Sequence, residues 1–325
     1  MTDNLLVFGL DATKEYAAKV AKHLGLELSN KDEKYFEDGE PYLRSMVNVR
    51  GRDVFVIQSL YSDENESASD KFVKLLWFIG SLVDARAERI TAVLPYTSFR
   101  QDRKTQSREP ITTKYIAWLM EAIGADQTLT MDAHNLSAIQ NGFRVSPDNL
   151  ESKNLFADWC ANNLPTDRPL VVLSPDSGGL PRSRRFRNAF GRRIKTELDV
   201  VIMDKVRVEG KVQGSRIVGN VKGTNVIIYD DMISTGSTMW QAYQAVQNHG
   251  GQVVAICATH GLFVGKANEY FDNMETNIVV CDTIPPFRLN TNNLKKTQVL
   301  DTTEMVAEAI RRIHNGTGSI SELLK

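Results

Sequence analysis

Short apolar, β-prone runs alternate along the chain with stretches whose apolar positions recur at helical spacing. The extended runs fall at Leu5–Leu10, Asp53–Ser59, Arg89–Pro95 and Ala125–Met131, then at Leu170–Ser174, Asp199–Met203, Asn225–Tyr229, Gln252–Thr259 and Asn277–Val280. Helical patterns lie at 13–24, 69–86, 112–123, 151–163, 179–191, 238–249, 265–273 and 303–314. This alternation predicts an α/β fold in which a parallel sheet is wrapped by helices. Each half has its own set, and the turn-rich string Ser146-Pro147-Asp148-Asn149 separates them. Two domains are expected, 1–150 and 151–325, with the C-terminal tail a candidate to return to the first. Functional loops of such sheets gather at the carboxyl ends of strands. There the sequence places Tyr96–Lys104, Asp132–His134, Pro175–Gly179, Asp204–Arg207 and Asp230–Thr238.

Composition changes this picture little. At 325 residues, 42% hydrophobic and 24% charged, the chain suits two ordinary globular domains. A formal net charge of −1 gives no electrostatic reason to expect nucleic acid. The basic stretch Ser183–Arg193 reads better as a solvated helix face near an anionic site. Cys160, Cys257 and Cys281 are widely spaced, two of them within apolar runs, which suits buried thiols in a reducing cytoplasm. No apolar run nears the roughly 18 residues of a membrane span. The start of the chain reads as strand then helix and not as a signal peptide.

The candidate chemistry centres on Val226–Thr238. A β-prone run leads into Asp230 and Asp231, then a small-residue loop of Ser234, Thr235, Gly236, Ser237 and Thr238, then a helical pattern. Free N–H groups and the dipole at a helix start favour a phosphate. Two carboxylates repel a phosphate, so they suit the hydroxyls of a sugar attached to it, with or without a metal ion. A buried strand ending before an N-capped helix accounts for the same string without a ligand. Further constellations each carry a plain alternative. Asp176, Ser177, Gly178, Gly179 and Arg182 fit a metal and diphosphate loop or a simple turn. His134, two residues after Asp132, fits an imidazole near a metal-bound phosphate or a structural histidine. Arg100, Gln101 and Asp102 in a cation-dense run fit a polyphosphate clamp or a solvated loop. Phe36, Asp38 and Glu40 fit a base-stacking element or a surface turn. Lys205 and Arg207 alternate on one face of an extended segment and suit charge stabilisation from a mobile loop. Of the other histidines, His23 and His314 fall on polar helical faces and His249 at a helix end.

Taken in order, FEDGE at 36–40, RQDRK at 100–104, EPITTK at 109–114, DAH at 132–134, SPDSGG at 174–179, DKVR at 204–207, DDMISTGST at 230–238, ATHGLF at 258–263 and DTIPP at 282–286 resemble the ribose-phosphate pyrophosphokinase family. The resemblance runs from about Leu5 to the C-terminus. It implies two tandem phosphoribosyltransferase-like domains. It also implies transfer of the β,γ-diphosphoryl group of ATP to the 1-hydroxyl of ribose 5-phosphate. By the same resemblance Phe36, Asp38, Glu40, Arg100, Gln101 and Asp102 would bind ATP, the first three across a subunit boundary. Asp230, Asp231 and Ser234 to Thr238 would bind ribose 5-phosphate, and Ser177, Gly178, Gly179 and Arg182 the diphosphate. His134 and Asp176 would hold Mg²⁺, and Lys205 and Arg207 would be the catalytic cations. A homo-oligomer is implied, built from dimers up to a hexamer, with Arg50, Ser319 and Ser321 in a regulatory phosphate or ADP site.

The chain departs from the family pattern at Ser234, where Asp is usual, at Ser237, where Gly is usual, and at Asn48, where Ser is common. The segment 96–100 is shorter by a residue and the stretch after His134 longer by one. The expectation is intact catalysis with altered phosphate and ADP regulation. Two alternatives are a non-catalytic regulatory homologue and a phosphoribosyltransferase that consumes the diphosphorylated sugar. The ATP-type motifs of the first half count against the latter.

Overall fold

Residues 4–98, 102–208 and 211–325 are described by a computed structural model, without the side chains of 205–208 and 211–215. Contacts divide the chain into two units, residues 1–151 with 302–325, and residues 152–301.

Unit 1 is built on five parallel strands, β1 (Leu5–Gly9), β4 (Asp53–Ile57), β5 (Arg89–Leu94), β6 (Gln127–Met131) and β7 (Asp148–Leu150), adjacent in that order. Helices α1 (Lys14–His23), α2 (Ala68–Asp84), α3 (Thr112–Ile123), α4 (Leu136–Gly142) and α10 (Thr303–Asn315) belong to this unit. Side chains alternate across the sheet, as a period of two requires. Phe55 and Ile57 join α1 and α10 in one core, while Val54 and Val56 join α2 in the other. Helix α10 packs Val306, Ala307 and Ile310 with Ala17, Val20 and Ala21 of α1. His314, expected on a polar face, instead meets the buried Asp53 carboxylate through Nδ1 at 2.6 Å. Arg89 also grips Asp53, with Nε at 2.9 Å from Oδ1. Strands β2 (Lys31–Tyr35) and β3 (Pro41–Ser45) form a separate antiparallel hairpin, which the charged string KDEKY gave no apolar pattern to announce.

Unit 2 holds seven strands in the order β10 (Lys211–Val218), β9 (Asp199–Val208), β8 (Leu170–Ser174), β11 (Asn225–Ile233), β12 (Gln252–Gly261), β13 (Asn277–Cys281), β14 (Thr297–Leu300). All pairs are parallel except β9 with β10. The flanking helices are α5 (Lys153–Asn163), α6 (Leu180–Ile194), α7 (Ser237–Asn248), α8 (Ala267–Asp272) and α9 (Thr291–Lys295). Alternation is again strict. Val226 and Ile228 face the core that includes α7, and Ile227 and Tyr229 face that of α5 and α6. Cys160, Cys257 and Cys281, distant in sequence, share this second core as free thiols. Burial pushes the Cys257 thiol well above its usual range.

One expectation needs correcting here. The segment carrying Lys205 and Arg207 is not a loop in its backbone. It continues β9 and pairs antiparallel with β10, Lys205 opposite Ser215 and Arg207 opposite Val212, with a bulge between Val212 and Gly214. Alternating Val206 and Val208 favour an extended chain, and polar residues suit an edge hairpin.

Candidate active site

The chain leaves β8 through α6 toward β9 and leaves β11 through α7 toward β12. Connections therefore diverge between two adjacent strands. Such a switch point opens a crevice at the carboxyl ends of the strands, and ligands of open α/β sheets bind there. The residues at those two ends are Ser174–Gly179 and Asp230–Thr238.

Aromatic packing sets the first contact of the site. Phe186 of α6 stacks on Tyr229 of β11, centroids 4.2 Å apart and planes within 5°. Phe156 meets Tyr229 edge-on. Arg182 lies one turn before Phe186, on the same face of the helix, and Asp231, two residues after Tyr229, shares its side of β11. The stack therefore brings Arg182 over the carboxylates. Its Nη1 donates to Asp230 Oδ1 at 2.7 Å and to Asp231 Oδ1 at 3.0 Å. Where the sequence reading assigns Arg182 to a diphosphate oxygen, the guanidinium here bridges the two acids. Burial first, then the adjacent Asp231 charge, push Asp230 well above the usual carboxylate range, and Arg182 offsets them only in part.

The β8 loop closes on its own acid. Gly179 N–H donates to Asp176 Oδ1 at 2.8 Å, and Ser174 Oγ donates to the Asp176 carbonyl at 2.8 Å. A Cβ at position 179 would lie 3.0 Å from Ser174 Oγ and 3.5 Å from both Asp176 Oδ1 and Asp230 Oδ1. Gly179 thus keeps open the space between the two carboxylates, with Ser177 and Gly178 exposed beside it.

After β11, Ser234 and Thr235 lead to Gly236 at φ +78°, the residue that starts α7. A left-handed turn there suits glycine, which brings no capping side chain, and the first turn of α7 carries no acid. Thr235 Oγ1 and Ser237 Oγ lie 3.0 Å apart, and both side chains reach solvent. Backbone N–H groups and hydroxyls at a helix start form an anion site. The acids and the anion site follow one another on one strand–loop–helix unit.

Unit 1 supplies a second cluster. Asp132, ending β6, holds a positive φ of 40° without being glycine. Its N–H donates to Leu150 and the next N–H to Asn149, so neighbouring backbone sustains a conformation that is costly by itself. Asn135 caps α4 by accepting from Ala138 N–H and donates to Asp102 Oδ2 at 2.6 Å. Asn135, which sequence reasoning did not single out, thus ties Asp102 to the His134 loop. Asp102, His134 and Asn135 border a pocket walled by Leu60, Leu94 and Ile116. Phe36, Asp38 and Glu40 lie elsewhere, on the turn joining β2 and β3. Phe36 N–H donates to Glu40 O, Gly39 N–H to Phe36 O and Glu40 N–H to Asp38 Oδ1, and Phe36 is 51% exposed. Ser319 and Ser321 bond each other at 2.7 Å, and Arg312 holds the Ser319 carbonyl, while Arg50 is exposed in a separate turn. Arg100 and Gln101 lie outside the described residues, as do the side chains of Lys205 and Arg207.

Among the described residues no three His, Cys, Asp or Glu side chains form a metal cage. Magnesium takes oxygen ligands, keeps waters and is commonly held by one or two carboxylates with substrate phosphates. Asp176 beside the space kept by Gly179 fits that pattern, and the His134 imidazole fits it less well.

Known proteins resemble the chain over nearly its whole length. The model for the N-terminal domain of ribose phosphate pyrophosphokinase matches residues 5–124, and that for the phosphoribosyl synthetase-associated domain matches residues 192–325. The chain is 39% identical to a ribose-phosphate pyrophosphokinase of Shewanella oneidensis, covering 96% of each, and 36% identical to that of Caldanaerobacter subterraneus, covering 99% of this chain and 98% of that protein. The crystal structure of phosphoribosylpyrophosphate synthetase from Mycobacterium smegmatis superposes with a TM-score of 0.87 at 30% identity, over 97% of this chain and 100% of that one. With both halves matched and full-length relatives above 30% identity, the chain belongs to the ribose-phosphate pyrophosphokinase family.

Proposed function

We propose that the chain is a ribose-phosphate diphosphokinase that makes 5-phosphoribosyl diphosphate and AMP from ATP and ribose 5-phosphate. The observation that carries the reading is the continuity of an acid pair and an anion-binding helix start at the switch point of unit 2. Asp230 and Asp231 are spaced to accept from sugar hydroxyls, and residues 234–238 receive the 5-phosphate of the same molecule. The 1-hydroxyl oxygen attacks the β-phosphorus of ATP. An oxygen–phosphorus bond forms, the bond from that phosphorus to the α,β-bridging oxygen breaks, AMP leaves with that oxygen, and the hydroxyl proton passes to solvent. Among the described residues no side chain on the sugar's side is an evident base, so positioning and charge neutralisation supply most of the rate. Lys205 and Arg207 are the cations assigned to the developing phosphoryl charge. Mg²⁺ carried in with ATP would sit with Asp176 and neutralise phosphate oxygens.

On this reading Phe36, Asp38 and Glu40, with Arg100, Gln101 and Asp102, serve ATP, and His134 serves the nucleotide with them. The exposed turn 36–40 suits an element that completes a neighbouring copy's site, hence a dimer-based homo-oligomer. A strictly monomeric species with full turnover in dilute solution would exclude that assembly. The reaction itself is tested by incubating the protein with Mg²⁺, ATP and ribose 5-phosphate, with and without inorganic phosphate. Equimolar AMP and phosphoribosyl diphosphate are expected. Absence of AMP under both conditions overturns the reading in favour of a non-catalytic homologue.

A further inference from the structure

The hairpin β2–β3 is not hydrogen-bonded into either main sheet, and an isolated two-stranded hairpin is marginal in water. Something else must hold it. Strand β2 turns Lys31, Glu33 and Tyr35 to one face and Asp32 and Lys34 to the other. The second pair is solvated, with Lys34 and Asp32 bonding each other. Every member of the first set meets the body of unit 1. Lys31 reaches Asp11 at 2.7 Å, and Tyr35 donates its hydroxyl proton to Glu66.

Glu33 is the hub. Its Oε1 accepts from Lys74 of α2 at 2.5 Å, and its Oε2 accepts from the Asp11 N–H at 3.0 Å and from Lys31. The Glu33 and Lys74 side chains are each only 2% exposed. Lys74 also bonds Glu66. Burial alone would depress the Lys74 ammonium, but Glu33 and Glu66 outweigh it and hold it above the usual lysine value. A seam of this kind is directional. A one-residue slip of β2 would turn Asp32 and Lys34 inward and break the present pairings of Lys31, Glu33 and Tyr35.

We infer that Glu33 is a positioning residue: through Lys74 and the Asp11 N–H it fixes the pose of the β2–β3 hairpin and so of the turn Phe36–Glu40 that receives the nucleotide. The inference rests on the nucleotide reading of that turn. Helix α2 provides an internal control, because Lys71, one turn before Lys74, is as deeply buried but bonds Asp63 and caps the Tyr61 ring at 3.7 Å without touching the hairpin.

The experiment compares Glu33→Gln, Lys74→Met, Lys71→Met and Phe36→Ala by steady-state kinetics, with amide hydrogen exchange over residues 31–45. Glu33→Gln keeps the shape and the Asp11 acceptor, so the fold survives if Lys74→Met does not. If the correct pose falls to about a tenth of the population, the KM for ATP rises about tenfold. That rise is expected for Glu33→Gln and Lys74→Met, with kcat at saturating ATP and the KM for ribose 5-phosphate nearly unchanged and hairpin exchange faster. Lys71→Met should lower stability without that split. Unchanged KM and unchanged exchange in both hairpin variants, while Phe36→Ala raises KM, overturns the inference and leaves the nucleotide reading standing. An unchanged KM in Phe36→Ala overturns the nucleotide reading, and hairpin exchange then decides the role of Glu33 alone.

Discussion

Replacing Arg182 with Met would remove the cation that bridges Asp230 and Asp231 while keeping most of the aliphatic stem. The three side chains are 13%, 12% and 3% exposed, so little solvent screens the two acids from each other. Truncating one partner of a buried ion pair costs about 3–5 kcal/mol, and that range is expected near neutral pH. The pH dependence separates charge from packing. Burial and Asp231 already raise Asp230, and losing Arg182 raises it further. A carboxyl raised by folding contributes stability that is fully present below its unfolded value and is lost as pH rises through the folded one. The deficit of the variant should therefore be smallest near the unfolded carboxyl value of about 4 and grow as pH rises through the raised folded value of Asp230, by at most about 1.4 kcal/mol per pH unit for one proton. Denaturant unfolding of both proteins at a series of pH values measures it. A deficit that is constant with pH, or that shrinks as pH rises, refutes the electrostatic account and assigns Arg182 to packing.

Gly236→Ala puts a Cβ at φ +78°, 3.3 Å from Phe271 and 3.4 Å from the Ala267 Cα. The left-handed conformation alone costs roughly 1–2 kcal/mol, so lowered stability together with a raised KM for ribose 5-phosphate is expected from unfolding and kinetic assays. Ser67 caps α2 by accepting from Asp70 N–H while Asp70 accepts from Ser67 N–H. Ser67→Ala should cost about 1 kcal/mol in denaturant unfolding, and Ser67→Thr should recover most of it. Burial and the Glu66 carboxylate push the Tyr35 phenol up to about 12, so the phenolate absorbance lost in Tyr35→Phe should titrate near that value. Because the unfolded phenol ionises at about 10, its share of stability is complete below that pH and disappears as pH rises through about 12. A Tyr35 titration near 10 would place the hydroxyl in solvent.

The core strands could be read from the chain because a strand covered on both faces is apolar nearly throughout, as Leu170–Leu173 of β8 is. Helix α3 runs over the residues expected because Gly124, at φ +103°, stops it. The turn and helix start after Ile233 were equally plain, whereas the continuation of β11 through Asp230–Ile233 was not, because two adjacent carboxylates read as the end of a buried strand. What escaped was whatever depends on a distant partner. Lys71 and Lys74 look like solvent positions on an amphipathic helix, and Glu33, 41 residues away from Lys74, joins Glu66 in holding that ammonium inside. Arg182 finds Asp230 across 48 residues through the Phe186–Tyr229 stack. Strand β10 was missed because its inner residues are polar and one is glycine, which weakens any strand pattern.

The helix α10, which closes the core that unit 1 builds on α1, is encoded after the whole of unit 2. During synthesis residues 152–301 leave the ribosome as one uninterrupted stretch and can close their own sheet. Residues 4–151 emerge earlier, yet they wait with the apolar flank of α1 uncovered until α10 follows. Translation therefore completes the later unit first, and a stalled or truncated chain leaves the earlier one open.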